Sequence, residues 1–249
     1  MIRRIALAVV LFTAACASSG ASNRATGGGS SAAPTTASTT TTTATTTTTS
    51  TTTTTTTVPP APQRVLLEQQ WEPFAVAVDV TLHYPSNRVE RVGFHQSNDE
   101  GARHIEPMDT GIPATTMESR GRLSDLNSSA DVVVDPDSEI RAPVSGTVIS
   151  TGTYNLYCDL YDYFINIEPD DHPGWKVRII HITGVNVSEG DHVDAGVTVV
   201  APTARLLPFR SQVDDLEPVF DPYWPHVHME VVDPSIKNVP NGGSGYENC

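Results

Sequence analysis

Basic residues are scarce in this chain, and their scarcity excludes two kinds of partner. The 249 residues contain 15 lysines and arginines against 29 aspartates and glutamates. Residues 64–249 hold all 29 acidic residues but only 12 of the basic ones, which gives this part a formal charge of −17. Binding to nucleic acid requires a basic footprint, and so does an electrostatic hold on anionic lipid headgroups. We therefore expect no nucleic-acid partner.

Long apolar runs are also few, and the one at the start of the chain is too short to span a bilayer. Arg3 and Arg4 precede an apolar run from Ile5 to Phe12, and small residues follow it. This order is typical of a secretory signal peptide, which we assign to residues 1–15.

Only three cysteines are present. Cys16 follows Thr-Ala-Ala at the end of the signal, an arrangement that resembles a bacterial lipobox. The resemblance implies cleavage before Cys16 and lipid on its thiol, so we expect an extracytoplasmic lipoprotein, anchored in the cell membrane or associated with the cell wall. An ordinary signal peptide with a nearby cysteine is the alternative. Cys158 and Cys249 can pair in an oxidising compartment if their geometry permits, which the sequence leaves open.

Residues 16–63 contain almost nothing that can form a core. Between Thr35 and Thr57 nearly every residue is threonine, and no apolar period is present. Such a segment cannot offset the entropy of ordering, so we predict a disordered Thr-rich linker after the lipidated cysteine. Fully extended, it would reach on the order of 140 Å. That reach suits an anchored domain that works in the cell wall.

The remaining residues, 64–249, suffice for one domain, and their pattern predicts an all-β fold. No stretch shows a convincing helical period, whereas short runs rich in Val, Ile, Tyr and Phe alternate with Gly, Pro and Asp. Residues 170–174 are predicted to form a turn, and the polar residues 100–128 a long loop. Strands are predicted near 74–82, 131–134, 145–152, 161–168, 175–182, 197–200 and 226–232.

The segment 224–232, Trp-Pro-His-Val-His-Met-Glu-Val-Val, indicates one edge of a zinc site. Side chains alternate between the two faces of a strand, so His226 and His228 point the same way. One imidazole can then bind a metal while the other acts beside it. Taken alone, the pair is better explained as surface histidines on an edge strand, so the rest of the chain has to decide.

Four segments, in the right order, resemble the lysostaphin/LytM-type zinc metallopeptidases, which cut peptide cross-links in bacterial peptidoglycan. The similarity covers about 131–232. It is carried by an Ala-Pro hairpin motif at 141–148 and by a segment at 180–191 that begins near a histidine and ends in Gly-Asp. The continuation of that segment at 191–196 and the His-x-His segment at 225–231 complete it. The resemblance implies the duplicated hybrid motif fold, in which antiparallel sheets form a groove.

The resemblance also implies chemistry and site residues. It implies His228 as a zinc ligand, and His181 and His226 as non-ligand catalytic histidines that orient or deprotonate the attacking water and stabilise the oxyanion. A catalytic zinc has three protein ligands, and a neutral histidine can accept a proton and return it to the leaving amine. We therefore expect Zn²⁺ as the cofactor and stem or cross-link peptides of peptidoglycan as the substrate.

The other two ligands depart from the family pattern, which supplies them from a His-x-Gly-x-Asp motif before the Ala-Pro hairpin. Counting back from the hairpin places the aspartate at Asp131 but puts Asn127, a poor zinc ligand, at the histidine position. Asp99 competes with Asp131 because it follows His95 at the family's spacing, although without the glycine. We favour Asp131 with His95 as the third ligand; His104 is the alternative.

Two other interpretations compete with an active endopeptidase. If the missing ligand is not replaced, the domain is catalytically degenerate, binds peptidoglycan or a partner, and regulates cell-wall remodelling. The third interpretation rests on residues 187–196, whose V-x-x-G-D-x-V-x-x-G pattern is shared with biotinyl and lipoyl carrier barrels. A carrier needs a lysine on a hairpin tip. The only lysines of the domain, Lys176 and Lys237, lack that turn context, which disfavours a carrier.

Overall fold

The fold is seen in a computed structural model that describes residues 64–156, 160–217 and 223–238. The predictions of a signal peptide, of a lipidated Cys16, of the Thr-rich linker and of the pair Cys158 and Cys249 fall on residues outside these ranges. Within them, no helix has the length and apolar character needed to cross a membrane.

Strands dominate the described residues, among which no α-helix occurs, and the predicted all-β class with antiparallel sheets is confirmed. One 3-10 helix, Val213–Leu216, is present. The strands are β1 (Leu67–Glu68), β2 (Pro73–Ala77), β3 (Val80–His83), β4 (Arg88–His95), β5 (Glu106–Pro107), β6 (Ala114–Thr116), β7 (Ser129–Val134), β8 (Ile140–Arg141), β9 (Gly146–Leu156), β10 (Leu160–Pro169), β11 (Lys176–Ile180), β12 (His192–Val193), β13 (Val199–Ala201) and β14 (His226–Val232).

Nine of these strands form the main sheet. Eight follow the order β1-β4-β7-β14-β11-β10-β9-β12, and β6 pairs with β4. Only the β4–β6 pair is parallel; the other pairs of this sheet are antiparallel. Two small sheets accompany it, β13-β8 and β3-β2-β5.

The hydrophobic core lies against one face of the main sheet. Alternate residues of the central strands, such as Val132 of β7 and Met229 of β14, are fully buried in it, together with apolar residues of the β2–β3 hairpin. The ring of Phe74 in β2 stacks on that of Tyr84 at 4.7 Å. Because side chains alternate along a strand, the opposite face of the same central strands is left for polar groups.

Two parts of the sequence prediction need correction. The single strand predicted near 74–82 is a hairpin, because the chain turns at Val78, whose φ of 56° is incompatible with a continuous strand. The strand β4 was not predicted, although it is an interior strand of the main sheet, between β1 and β7. The turn at 170–174 is present. Residues 100–128 are mostly irregular, as predicted, apart from the short strands β5 and β6.

Candidate metal centre

Strand β14 presents His226, His228 and Glu230 on one face of the main sheet. The apolar residues between them point to the opposite face and belong to the core. All seven residues of the strand are buried, since its polar face is the floor of a groove rather than open surface.

Asp131 and His95 reach the same face from the two neighbouring strands. In the sheet register, His228 of β14 lies opposite Asp131 of β7, and Asp131 in turn lies opposite Gly93 of β4. His95 comes two residues after Gly93, so it returns to that face, where it lies opposite Ser129. Three adjacent strands thus bring together the three residues that the sequence singled out as ligands.

The side chains of His95, Asp131 and His228 converge closely enough to hold a metal ion. One ligand atom from each residue lies within 4.8 Å of the others. Nδ1 of His228 is 2.8 Å, and Nε2 of His95 is 3.1 Å, from Oδ1 of Asp131. Zinc bonds of about 2.1 Å at tetrahedral angles separate neighbouring ligand atoms by about 3.4 Å. The two contacts to Oδ1 of Asp131 would therefore widen by about 0.3–0.6 Å to admit a zinc ion.

The charges around Asp131 favour a ligand in its ionised form. Burial alone would raise the pKa of this carboxyl, but His95, His226 and His228 hold it well below its usual range. Burial also opposes a charge on His228, yet the hydrogen bond to Asp131 and the nearby carboxylate of Glu230 raise the pKa of this imidazole to about 9. A proton and a metal ion compete for the same nitrogen, so metal binding would release that proton.

His181 and His226, the two predicted catalytic histidines, lie beside the three candidate ligands. Their ring centroids are 5.0 Å apart, and that of His181 is 5.9 Å from that of His228. Nε2 of His226 lies 3.8 Å from Oδ2 of Asp131. Burial lowers the pKa of His226 to about 3, although Asp131 opposes the shift, so this imidazole is neutral at physiological pH.

Asp162, in β10, fixes the position of His181. Its fully buried carboxylate accepts hydrogen bonds through Oδ2 from Nδ1 of His181 at 2.5 Å and from the backbone N–H of His181 at 3.1 Å. His181 has a φ of 65°, a left-handed conformation that is costly for a residue with a side chain. The two hydrogen bonds stabilise this conformation and set the orientation of the ring.

Glu230 holds His228 from the other side. Its Oε2 lies 3.8 Å from Nε2 of His228 and accepts a hydrogen bond from the hydroxyl of Ser97. Its Oε1 accepts a hydrogen bond from Nη1 of Arg178 at 3.2 Å. Burial would raise the pKa of Glu230, but His228 and Arg178 lower it to about 2.

Sequence reasoning missed Asp162, Glu230 and Ser97. Glu230 had a detectable signal, because it continues the alternation of His226 and His228 along β14. Asp162 and Ser97 had none, since their contacts join residues that are 19 and 133 positions apart in the chain.

The other candidates from the sequence lie outside the group of three ligands. Asn127, at the family's histidine position, accepts a hydrogen bond from Thr116 at 2.8 Å. Asp99 is buried, but its Oδ1 accepts the backbone N–H of Gly101. His104 is exposed and hydrogen-bonds two surface carboxylates. The geometry therefore favours Asp131 over Asp99 and His95 over His104 as ligands.

The three candidate ligands and the two histidines beside them, His181 and His226, line a groove of about 680 Å³. Its floor includes Arg178 of β11 and Asn166 of β10, and loop residues around 120 and 210 form part of its wall. Such a groove admits a segment of an extended polymer, with the candidate metal ligands at its bottom.

Comparison of the chain with protein-family models, with curated proteins and with solved structures found no match.

Proposed function

We propose that this domain is a zinc metalloendopeptidase that cleaves peptide cross-links of peptidoglycan. One observation carries the proposal: His95, Asp131 and His228, from three adjacent strands, form a group of three that could hold a metal ion, although Asn127 stands at the family's histidine position. Three protein ligands with two further histidines beside them are typical of a hydrolytic zinc site.

When bound, zinc lowers the pKa of a water molecule and polarises the carbonyl of the scissile bond. The residues of this chain would do the rest. His181 donates a hydrogen bond from its Nδ1–H to Asp162, which leaves Nε2 as the proton acceptor. We assign to this atom the removal of a proton from the attacking water and its delivery to the leaving amine. His226, neutral and adjacent, would donate a hydrogen bond to the developing oxyanion.

The motif resemblance supports peptidoglycan as the substrate, and the predicted lipid anchor and linker support an action close to the outer face of the membrane. These parts of the proposal rest on residues 1–63 and on the four motif segments. Membrane fractionation of a Cys16→Ala variant tests the anchor, and unchanged membrane retention would contradict it.

A second function, a degenerate domain that binds peptidoglycan or a partner without cleavage, is favoured by a single observation. The family's first histidine position holds Asn127, whose side chain is engaged with Thr116. The two functions differ in metal content, which makes that quantity the decisive measurement.

The experiment measures zinc per protein in the mature chain by mass spectrometry, and the release of peptides from purified peptidoglycan. We expect about one equivalent of zinc, loss of metal in His228→Ala and strongly weakened binding in His95→Ala, because two protein ligands rarely hold zinc tightly. His181→Ala and His226→Ala should keep the metal and lose cleavage.

His104→Ala is the matched control, since His104 is an exposed histidine outside the group. Loss of zinc in this variant, with full zinc in His95→Ala, would show that the third ligand was wrongly chosen. Wild-type protein that cannot be loaded at micromolar zinc would decide for the degenerate domain.

A further inference from the structure

We propose that the groove selects peptides that carry carboxylate groups close to the site of cleavage. This inference deepens the proposed peptidase function and rests on it for the class of substrate. It is carried by a concentration of arginines in one place on an otherwise acidic domain.

The lining of the groove contrasts in charge with the rest of the domain. Residues 64–249 have 12 basic and 29 acidic residues, a formal charge of −17. The groove lining contains four arginines, Arg120, Arg122, Arg178 and Arg210, against three carboxylates, Asp99, Asp131 and Glu230. The arginines of the lining thus outnumber its carboxylates by one. An anion that approaches this domain finds an attractive potential in the groove and repulsion from the acidic residues elsewhere.

Arg120 and Arg122 are held over the groove by the residue next to His95. The buried side chain of Gln96 accepts hydrogen bonds through Oε1 from the hydroxyl of Ser119 and from the backbone N–H groups of Arg120 and Arg122. Its Nε2 donates to the carbonyls of Arg122 and Ser124. Five hydrogen bonds from one side chain fix the backbone of this loop relative to the candidate metal ligand, and Nη1 of Arg122 also donates to the backbone carbonyl of Gln96.

Arg210 joins them from a second loop. Nε2 of Gln212 donates to the backbone carbonyl of Glu118 at 2.8 Å, which links the two loops directly. Arg210 pairs with the exposed Asp215 at 2.6 Å. An exposed ion pair of this kind contributes little to stability, so the pair with Asp215 does not prevent contact between the guanidinium and a substrate carboxylate.

The ligand chemistry is that of a peptide carboxylate. The planar guanidinium fork matches a carboxylate with two parallel hydrogen bonds. The groove also offers apolar side chains, among them Phe164, Ile180 and Leu207, on which the aliphatic parts of a peptide can lie. A long polyanion such as nucleic acid would extend beyond these few arginines onto the acidic surface of the domain, which repels it.

The test compares two probes that differ only in charge: a cross-linked stem peptide with free carboxylates, and the same peptide with those carboxylates converted to carboxamides. Affinity is measured by calorimetry on the full mature chain after treatment with a chelator, which prevents cleavage. We expect wild-type protein to prefer the carboxylate form by about tenfold or more, since hydrogen bonds to charged groups are worth roughly that factor.

The ratio of the affinities for the carboxylate and carboxamide peptides should fall several-fold in each of three variants, Arg120→Gln, Arg122→Gln and Arg210→Gln. Arg88→Gln is the matched control because it removes one positive charge outside the groove, where Arg88 pairs with Asp135. Equal affinity for the two peptides, no binding of either, or a preference that none of the three variants alters would overturn the inference.

The outcome is separable from that of the proposed function. A protein that binds zinc and cleaves peptidoglycan but shows no preference for carboxylates keeps its function and loses this inference. A protein without zinc or cleavage whose preference depends on Arg120, Arg122 and Arg210 keeps the inference, with the groove acting as a binding site.

Discussion

At the scale of single residues, Asp162 carries a positioning role that is separate from metal binding. It contacts His181 twice and also accepts a hydrogen bond from the hydroxyl of Tyr154 at 2.9 Å. The pKa of this carboxyl is lowered, although burial alone would raise it, chiefly because of the hydrogen bond and charge of His181. Asp162 does not touch the three candidate metal ligands through any of these hydrogen bonds, so its replacement should separate positioning from metal affinity.

Replacement of Asp162 by asparagine should preserve zinc binding and lower the rate of peptidoglycan cleavage by about ten- to a hundredfold. The amide turns an N–H towards groups that already donate, which leaves buried donors unpaired and releases the His181 ring from its tautomer. The measurements are zinc content and kcat as a function of pH. A shift of the pH profile would distinguish a change in His181 from a general loss of stability.

Asp135→Asn serves as the control for this prediction, since Asp135 is another buried aspartate, paired with Arg88. Its kcat and pH profile should match those of the wild type. If Asp162→Asn loses zinc together with activity, then Asp162 supports the whole centre rather than His181 alone.

At the scale of elements, β14 could be predicted from sequence and β4 could not. The alternation of histidine and apolar residues along β14 marks a strand with one polar and one apolar face. In β4 the alternation is broken by a bulge between Val89 and Arg91. Two adjacent charged residues, Glu90 and Arg91, predict a solvent-exposed segment, yet Glu90 is buried here because an ion pair with Arg64 compensates its charge.

The same distinction applies to the candidate site. His181, His226 and His228 lie in recognisable segments, and Asp131 followed from its spacing to the hairpin. His95 could be named only as a substitute for a missing ligand, because strand order, which places β4 beside β7, is not readable from a single sequence. Gln96 was missed for the same reason: its five partners lie in a loop more than twenty positions away.

A cluster of charged residues that includes two residues of β4 should make the free energy of unfolding depend on pH. Arg64 contacts both Glu90 and Glu217, and Arg91 lies 3.0 Å from Glu217. Burial, and then the neighbouring Glu90, raise the pKa of Glu217 from 4.5 to about 7, although the two arginines oppose the shift. The folded state therefore binds a proton more tightly than the unfolded chain, so Glu217 reduces the free energy of unfolding as pH rises from about 4.5 to about 7.

Glu217→Gln should remove this contribution and flatten the pH dependence over that window. Urea unfolding at pH 5, 6, 7 and 8 gives the free energy of unfolding for both proteins. The free energy of unfolding of the variant, relative to that of wild type, should increase as pH rises. The control is Glu189→Gln, at an exposed position, whose free energy of unfolding should depend on pH in the same way as that of wild type. A variant whose difference from wild type is constant across the four pH values would contradict the assignment.

At the scale of the whole molecule, we predict that the linker ends just before Arg64, the first residue that the structure describes. The Thr-rich residues before it have no apolar periodicity with which to pack on the domain. Arg64 itself is different: its side chain is only 5% exposed, it pairs with Glu90 and Glu217, and its guanidinium lies 4.2 Å from the ring centroid of Trp224.

A protein that begins at Arg64 should therefore keep the Tm of the mature chain within about two degrees, whereas one that begins at Val65 should melt several degrees lower. Removal of one partner of a buried ion pair costs about 3–5 kcal/mol, and each kcal/mol lowers Tm by about 2–4 °C in a domain of this size. Calorimetry on the three proteins tests both statements. A large drop already in the protein that begins at Arg64 would mean that the linker docks on the domain.

The use of three strands for the candidate ligands has a consequence for how the molecule folds. His95 pairs with Ser129 across 34 residues, and Asp131 meets His228 across 97. No short fragment of the chain can assemble the centre, so an ion cannot nucleate folding; it can only enter after the slow, long-range pairing of β4, β7 and β14 is complete. Zinc would then stabilise the domain only after it has folded. It would leave the rate of folding nearly unchanged and raise the barrier to unfolding, so the folded protein with bound metal would last longer before it unfolds.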